Sequence, residues 1–204
     1  MTGDSLDGEF YALVLAAGAG SRFGGDKLRA RWGEGRLIDA ALATASAAPV
    51  AGVLLLVKPG DRLIEDAGVR VIEVADWAEG MAESLKAGIA ALPIGCAGAF
   101  VFLGDMPRIP RSILPKLAEA VRGGAAAAAP EFEGALGHPV LVSAALFPAL
   151  LTLEGDRGAR RVLEGLGERL IRIPAPDDGV LFDVDHPADL DREQPSGVPP
   201  RSEG

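Results

Sequence analysis

Cysteine and histidine are nearly missing from this chain, and each scarcity removes a class of chemistry. Cys96 is the only cysteine, so no internal disulfide can form, and no Cys/His grouping has zinc spacing. With only His138 and His186 present, no Ser-His-Asp or Cys-His arrangement can be drawn. Positive charge is the minority sign: 20 Lys and Arg against 29 Asp and Glu leave a net charge of −9. A field of that sign repels nucleic acid and anionic membrane, so an anionic ligand must be held by a local basic site. Long apolar runs are also lacking. The first is too short for a signal peptide or a membrane span, and the N-terminus is acidic, so the cytoplasm is the expected compartment.

What is present suffices for one full-sized core. The chain has 204 residues, 49% of them hydrophobic, and nothing demands a second domain. We expect one domain over residues 1–192 and a flexible tail over 193–204, where Pro, Gly, Ser and charge prevail. Apolar runs alternate with helical stretches along almost the whole length, the pattern of an α/β fold with a mostly parallel sheet. Strands are predicted at 10–15, 52–57, 69–74, 99–103, 125–129, 140–142 and 169–173; the low-complexity run 125–129 has a helical fragment as its alternative. Helices are predicted at 37–48, 80–92, 110–122 and 156–166, with a short one containing Leu146 and Phe147 that Ser143 is expected to cap and Pro148 limits.

The segment after the first strand is the most informative. Leu15-Ala16-Ala17-Gly18-Ala19-Gly20-Ser21-Arg22-Phe23-Gly24-Gly25-Asp26-Lys27 joins two cations to glycines that let backbone N–H groups turn toward an anion. A P-loop fits weakly, because Leu28 follows Lys27 and no hydroxyl is placed for a metal. A dinucleotide fingerprint also fits poorly: Gly18, Gly20 and Gly24 are one residue too widely spaced, and Asp39 falls inside a predicted helix. A glycine-rich connector is the plain alternative, but Arg22 and Lys27 at this spacing after a strand are hard to obtain by accident.

Ligands of a parallel sheet collect at the carboxyl ends of its strands, and Asp105 of Gly104-Asp105-Met106-Pro107 emerges there. It suits magnesium, which takes one or two carboxylates beside phosphate oxygens and water; a helix cap or turn aspartate is the alternative. In the run 182–190, alternation puts Asp183 and Asp185 on one side of a strand, and Pro187 starts a helix. Asp185 is the candidate second ligand for Mg2+. Asp183 reads equally well as a buried structural acid, and Asp189 as a helix-dipole residue. His138, between Gly137 and Pro139, is either open to a ligand or a satisfied structural histidine, while His186 reads as a turn residue. The turn from Gly80 to Ser84 offers amides and a hydroxyl to a base or phosphate; an ordinary loop with a surface Trp77 is its alternative. Asp156 and Arg157 lie near a predicted helix start, suited to an anionic group or to plain capping.

Together these segments resemble the molybdenum-cofactor nucleotidyltransferases, in the branch similar to molybdopterin cytidylyltransferase, from about Tyr11 to Leu190. The loop resembles that group's Leu-Ala-Ala-Gly-x-x-x-Arg-[Phe/Met]-Gly-x-x-Lys pattern. The resemblance implies a single Rossmann-like three-layer α/β domain that couples a nucleoside triphosphate to a phosphate monoester and releases pyrophosphate. It implies catalytic roles for Arg22, Lys27 and Asp105. Nucleotide binding falls to Leu15, Ala16, Ala17, Gly18, Ala19, Gly20 and Ser21 with Arg22, Lys27, Gly80 and Ser84, and acceptor binding to His138, Asp156 and Arg157. Ala17 resembles the cytidylyl members, where guanylyl members carry glycine, which implies CTP over GTP. The implied partners are a nucleoside triphosphate, a molybdopterin-type acceptor and a molybdoenzyme or its chaperone, without nucleic acid or membrane. The chain departs from the pattern after Lys27, where Arg29 and Arg31 interrupt an otherwise apolar stretch. GTP or another phosphorylated acceptor is the nearest alternative. A glycosyltransferase with Asp183-Val184-Asp185 as its metal motif, and a non-catalytic nucleotide-binding or cofactor-delivery protein, are alternatives of other classes.

Overall fold

The computed structural model describes residues 8–18, 23–64, 68–153 and 162–192. In chain order they form β1 (Phe10–Leu15), β2 (Arg31–Trp32), β3 (Gly35–Arg36), α1 (Leu37–Ser46), β4 (Gly52–Val57), β5 (Val69–Glu73) and α2 (Met81–Ala90). There follow β6 (Gly98–Leu103), α3 (Leu114–Arg122), β7 (Ala127–Phe132), β8 (Ala135–Leu136), β9 (Val140–Ser143), α4 (Phe147–Leu150) and β10 (Leu170–Pro174). The main sheet runs β10-β7-β9-β6-β1-β4-β5, with β8 on β7.

β1 explains the layering. Its Phe10, Ala12 and Val14 pack with Ile38 and Leu42 of α1 and Leu114, Leu117 and Val121 of α3. Leu13 and Leu15 point the other way, toward Ala82, Leu85 and Ile89 of α2 and Leu150 of α4. A strand apolar on both sides must be covered twice, and three layers result. Gly88 lets α2 approach closely, since a Cβ there would stand 2.9 Å from Leu13 Cδ1.

The pairs β1–β4, β1–β6, β4–β5 and β7–β10 are parallel, so the sheet is mostly parallel as expected. β9 is antiparallel to β6 and β7, because the short return from β7 through β8 leaves no room for a crossover. The strand expected at 125–129 begins later. Gly124 and Ala125 donate their N–H groups back to Val121 and Ala120, so these residues close α3 before the chain can extend. Ser143 ends β9 and makes no side-chain cap, contrary to expectation; a 3-10 turn at Ala144–Leu146 leads into α4 instead. The expected helix 156–166 lies partly outside the described residues, of which 162–164 are helical, and the tail 193–204 lies wholly outside them. No helix among the described residues is long and apolar enough to cross a membrane.

Candidate active site

The chain leaves β1 toward β4 on one side, while β6 flanks β1 on the other, which makes the β1/β6 boundary a topological switch point. Leu15 pairs in register with Leu103, so the loops that follow start level with each other. Ala16 N–H donates to Leu56 O at 2.8 Å and Gly104 N–H to Leu15 O at 2.9 Å. A Cβ on Gly104 would stand 3.3 Å from Leu15 O, so glycine lets the Asp105 loop approach the first loop closely.

Lys27 opens a 3-10 turn, Lys27–Arg29. Its Nζ donates to Asp105 Oδ2 at 2.7 Å and to Asp185 Oδ1 at 3.4 Å. Asp185 arrives on residues 182–185, which are irregular rather than the expected strand. The Val184 N–H bonds the Asp105 carbonyl at 3.0 Å, in a loop and outside the sheet ladders. The alternation behind the expectation survives: Phe182 and Val184 are buried, while Asp183 and Asp185 turn outward. Phe182, Val184 and Leu37 form a small third core with Phe23, Leu28, Trp32 and Leu190. One apolar cluster thus holds the neighbour of Lys27 and the neighbour of both acids.

Asp183 is exposed at the surface, not the buried structural acid that was its alternative reading. Partial enclosure by protein, followed by repulsion from Asp185 and Asp105, holds its carboxyl above the ordinary range. Asp189 sits in a 3-10 helix, Pro187–Asp191, in place of the expected α-helix. Its Oδ2 accepts from His186 N–H at 2.8 Å and Asp185 N–H at 3.0 Å, and the His186 bond foremost holds its carboxyl low. That is a capping role.

Among the described residues no group of three or more His, Cys, Asp or Glu is arranged to hold a metal. Asp105 and Asp185 instead share Lys27. The donors are carboxylate oxygens, and the surplus negative charge that disturbs Asp183 is what a hard divalent cation neutralises, so these residues fit Mg2+ chemically.

A cleft of about 970 Å³ opens over this cluster. Leu15, Ala16, Ala17, Gly18, Lys27, Asp105 and Asp185 line it, as do Gly80 and Ser84, so the described nucleotide-site candidates converge. Gly80 caps α2 at φ 122°, a conformation that favours glycine. Ala19, Gly20, Ser21, Arg22, Asp156 and Arg157 lie outside the described residues. Sequence reasoning missed Lys58, which directly follows β4 and whose Nζ stands 4.5 Å from the Trp77 ring centre. Both residues line the cleft, and Trp77 is half-buried instead of a plain surface residue. The strand-end rule that located Asp105 would have located Lys58 too.

His138 lies apart from this cluster. It lines a second, mostly apolar pocket of about 70 Å³ that shares Leu15 and Met81 with the cleft. Its Nδ1 is 3.4 Å from Val101 O, its N–H donates to Val180 O at 2.9 Å, and its bond to Pro139 is cis. The residue as a whole is half-buried, and the protein atoms packed around the ring desolvate it and push its pKa below the ordinary 6.5. The two arginines after Lys27 face outward. Arg29 pairs with Asp26 and, at 2.7 Å, with Asp61, and Arg31 Nε donates to Gly33 O at 3.2 Å.

Residues 12–171 match the family described as MobA-like NTP transferase domain. The molybdenum cofactor cytidylyltransferase of Escherichia coli K12 is 26% identical over 182 residues, covering 87% of this chain and 92% of that protein. The purine catabolism protein PucB of Bacillus subtilis 168 is 32% identical over 119 residues, 57% of each chain. Among solved structures, the Mycobacterium sp. strain JC1 homologue of Mycobacterium tuberculosis Rv0371c superposes with a TM-score of 0.78 at 30% identity, covering 90% of this chain and 93% of that one.

Proposed function

This chain belongs to the MobA-like NTP transferase family, and from that premise we propose that it transfers CMP from CTP to the phosphate of a molybdopterin-type acceptor, releasing pyrophosphate. The observation that carries the reading is Lys27 Nζ between Asp105 and Asp185 at the switch-point cleft. An acceptor phosphate oxygen forms the new bond to the α-phosphorus, the α–β bridging bond breaks, and pyrophosphate leaves. The acceptor phosphate is already ionised near neutral pH, so no strong general base is needed, which suits a chain with two histidines. Catalysis is then positioning and charge stabilisation.

The first loop holds the triphosphate through backbone N–H groups of residues 17–21. Lys27 neutralises charge that builds at the α-phosphate, and we assign Arg22 the same task. Asp105 and Asp185 would hold Mg2+, which when bound supplies charge neutralisation between two approaching anions. Gly80 and Ser84 face the nucleotide. We place the acceptor toward His138, Asp156 and Arg157, with product delivery to a molybdoenzyme or its chaperone in the cytoplasm. CTP is favoured over GTP by Ala17 and by the cytidylyltransferase relative that matches over 92% of its length. A second reading keeps the chemistry and changes the acceptor; the PucB match favours it.

The test is a pyrophosphate-release screen of CTP, GTP, ATP and UTP with molybdopterin-type acceptors, with and without Mg2+. Magnesium-dependent release with CTP is expected. Release only with another nucleotide overturns the CTP assignment, release only when the screen is repeated with other phosphorylated acceptors selects the second reading, and nucleotide binding without release in either screen identifies a non-catalytic binding protein.

A further inference from the structure

Arg108 stands three residues beyond Asp105 and outside the cleft. Its side chain is only 2% exposed, which is costly for a guanidinium unless its donors are satisfied. They are not: Nη2 pairs with Asp178, but Nε and Nη1 are buried without a hydrogen-bond partner among the described residues. The guanidinium carbon lies 4.2 Å from the ring centre of Phe182. Exchanging a whole buried ion pair for apolar residues of similar volume is often neutral or stabilising, whereas removing Arg108 alone would also take this partner from Asp178. Global stability alone therefore does not account for the arginine.

Its surroundings do. The Arg108 carbonyl abuts Gly179, where a Cβ would collide with it, so the loop carrying Asp105 and the segment carrying Asp185 already touch at this point. The Val184 N–H to Asp105 O bond, 3.0 Å, closes the far end of the same contact. Between them the guanidinium makes two contacts, a charged hydrogen bond from Nη2 to Asp178 and a cation–π contact with Phe182. Phe182 is buried in the small third core with Val184, and alternation along 182–185 turns Asp185 toward Lys27. We infer that Arg108 is a positioning residue that staples the 178–185 segment to the Asp105 loop, and so fixes Asp185 against Lys27 and Asp105. Its effect on turnover rests on the nucleotidyl-transfer reading above; the staple itself does not.

The test compares the full-length wild-type chain with Arg108→Met and Arg108→Lys. Amide hydrogen exchange over 180–186 reports the staple directly, and kcat and KM for CTP report its consequence. In Arg108→Met, exchange over 180–186 should quicken while β1 and β6 keep their protection. Turnover should fall by about 10- to 100-fold with KM little changed, the size of effect expected from losing a group that orients a ligand. Arg108→Lys keeps the charge but not the plane and should fall between. Wild-type exchange over 180–186 in Arg108→Met overturns the staple, and quickened exchange with wild-type kcat overturns its part in positioning Asp185 for turnover. If Arg108→Met does not fold, the same two measurements on Arg108→Lys decide. A wild-type chain that releases no pyrophosphate from any nucleotide defeats the transferase reading, while the exchange data still judge Arg108.

Discussion

Lys27 Nζ and Asp105 Oδ2 lie 2.7 Å apart across 78 residues of sequence. The meeting follows from strand order: β1 and β6 are parallel neighbours in register, so the loop after one faces the loop after the other. At the wall of a large cleft the carboxylates outnumber the lysine, so the constellation would accept an anionic ligand together with a divalent cation.

Removing either partner should stop chemistry without unfolding the chain, since both side chains sit at the cleft and outside the two main cores. Lys27→Ala and Asp105→Ala should each lower turnover by about 10²- to 10³-fold, the usual loss for one electrostatic contact in an active site. Steady-state pyrophosphate release, with circular dichroism as the folding control, checks this; near-normal turnover in either variant is the contrary result.

The contact of the Asp105 loop with the segment carrying Asp185 makes glycine obligatory at one position. Gly179→Ala sets a Cβ against the Arg108 carbonyl and 2.8 Å from Asp177 Oδ1, so it should lower the melting temperature sharply or prevent folding. Gly25→Ala meets nothing within 4 Å and should change stability by less than about 0.5 kcal/mol. Thermal melts of the two variants should therefore differ widely.

Stability should also depend on His138 below neutral pH. Its folded pKa is held below 6.5, so as pH falls past that value the unfolded chain takes up the proton first and unfolding is favoured. The contribution is complete above the unfolded pKa and is lost as pH falls toward the folded one. Urea unfolding of the wild type and His138→Gln should show a difference that changes between pH 8 and pH 5; a constant difference would mean that the ring titrates normally.

A buried aromatic group on β1 and β6 anchors the core on the side of α1 and α3. Phe100 is fully buried, edge-on to Phe10 at 6.1 Å and stacked on Phe102 at 6.0 Å. Phe100→Ala should cost about 3–5 kcal/mol, read as a lower denaturant midpoint.

Much of this arrangement was legible because it depends on local patterns. Short apolar runs marked β1, β4 and β6, and glycine and charge spacing marked the first loop and Asp105. The β2/β3 hairpin was not legible, since two-residue strands built from Arg31, Trp32, Gly35 and Arg36 carry no period. Residues 182–185 alternate as a strand does, yet strand status needs a partner ladder, and the partner here is the Asp105 carbonyl in a loop. Arg108 could not be found in the sequence at all, because its burial is set by the return of 178–182 from far along the chain.

The most direct test of the Lys27–Asp105 site is a double-mutant cycle on kcat/KM with Lys27→Met, Asp105→Asn and the pair. If both groups act on one bound triphosphate, the double variant should lose little more than the worse single variant. Losses that simply multiply would show two independent groups and contradict a shared site.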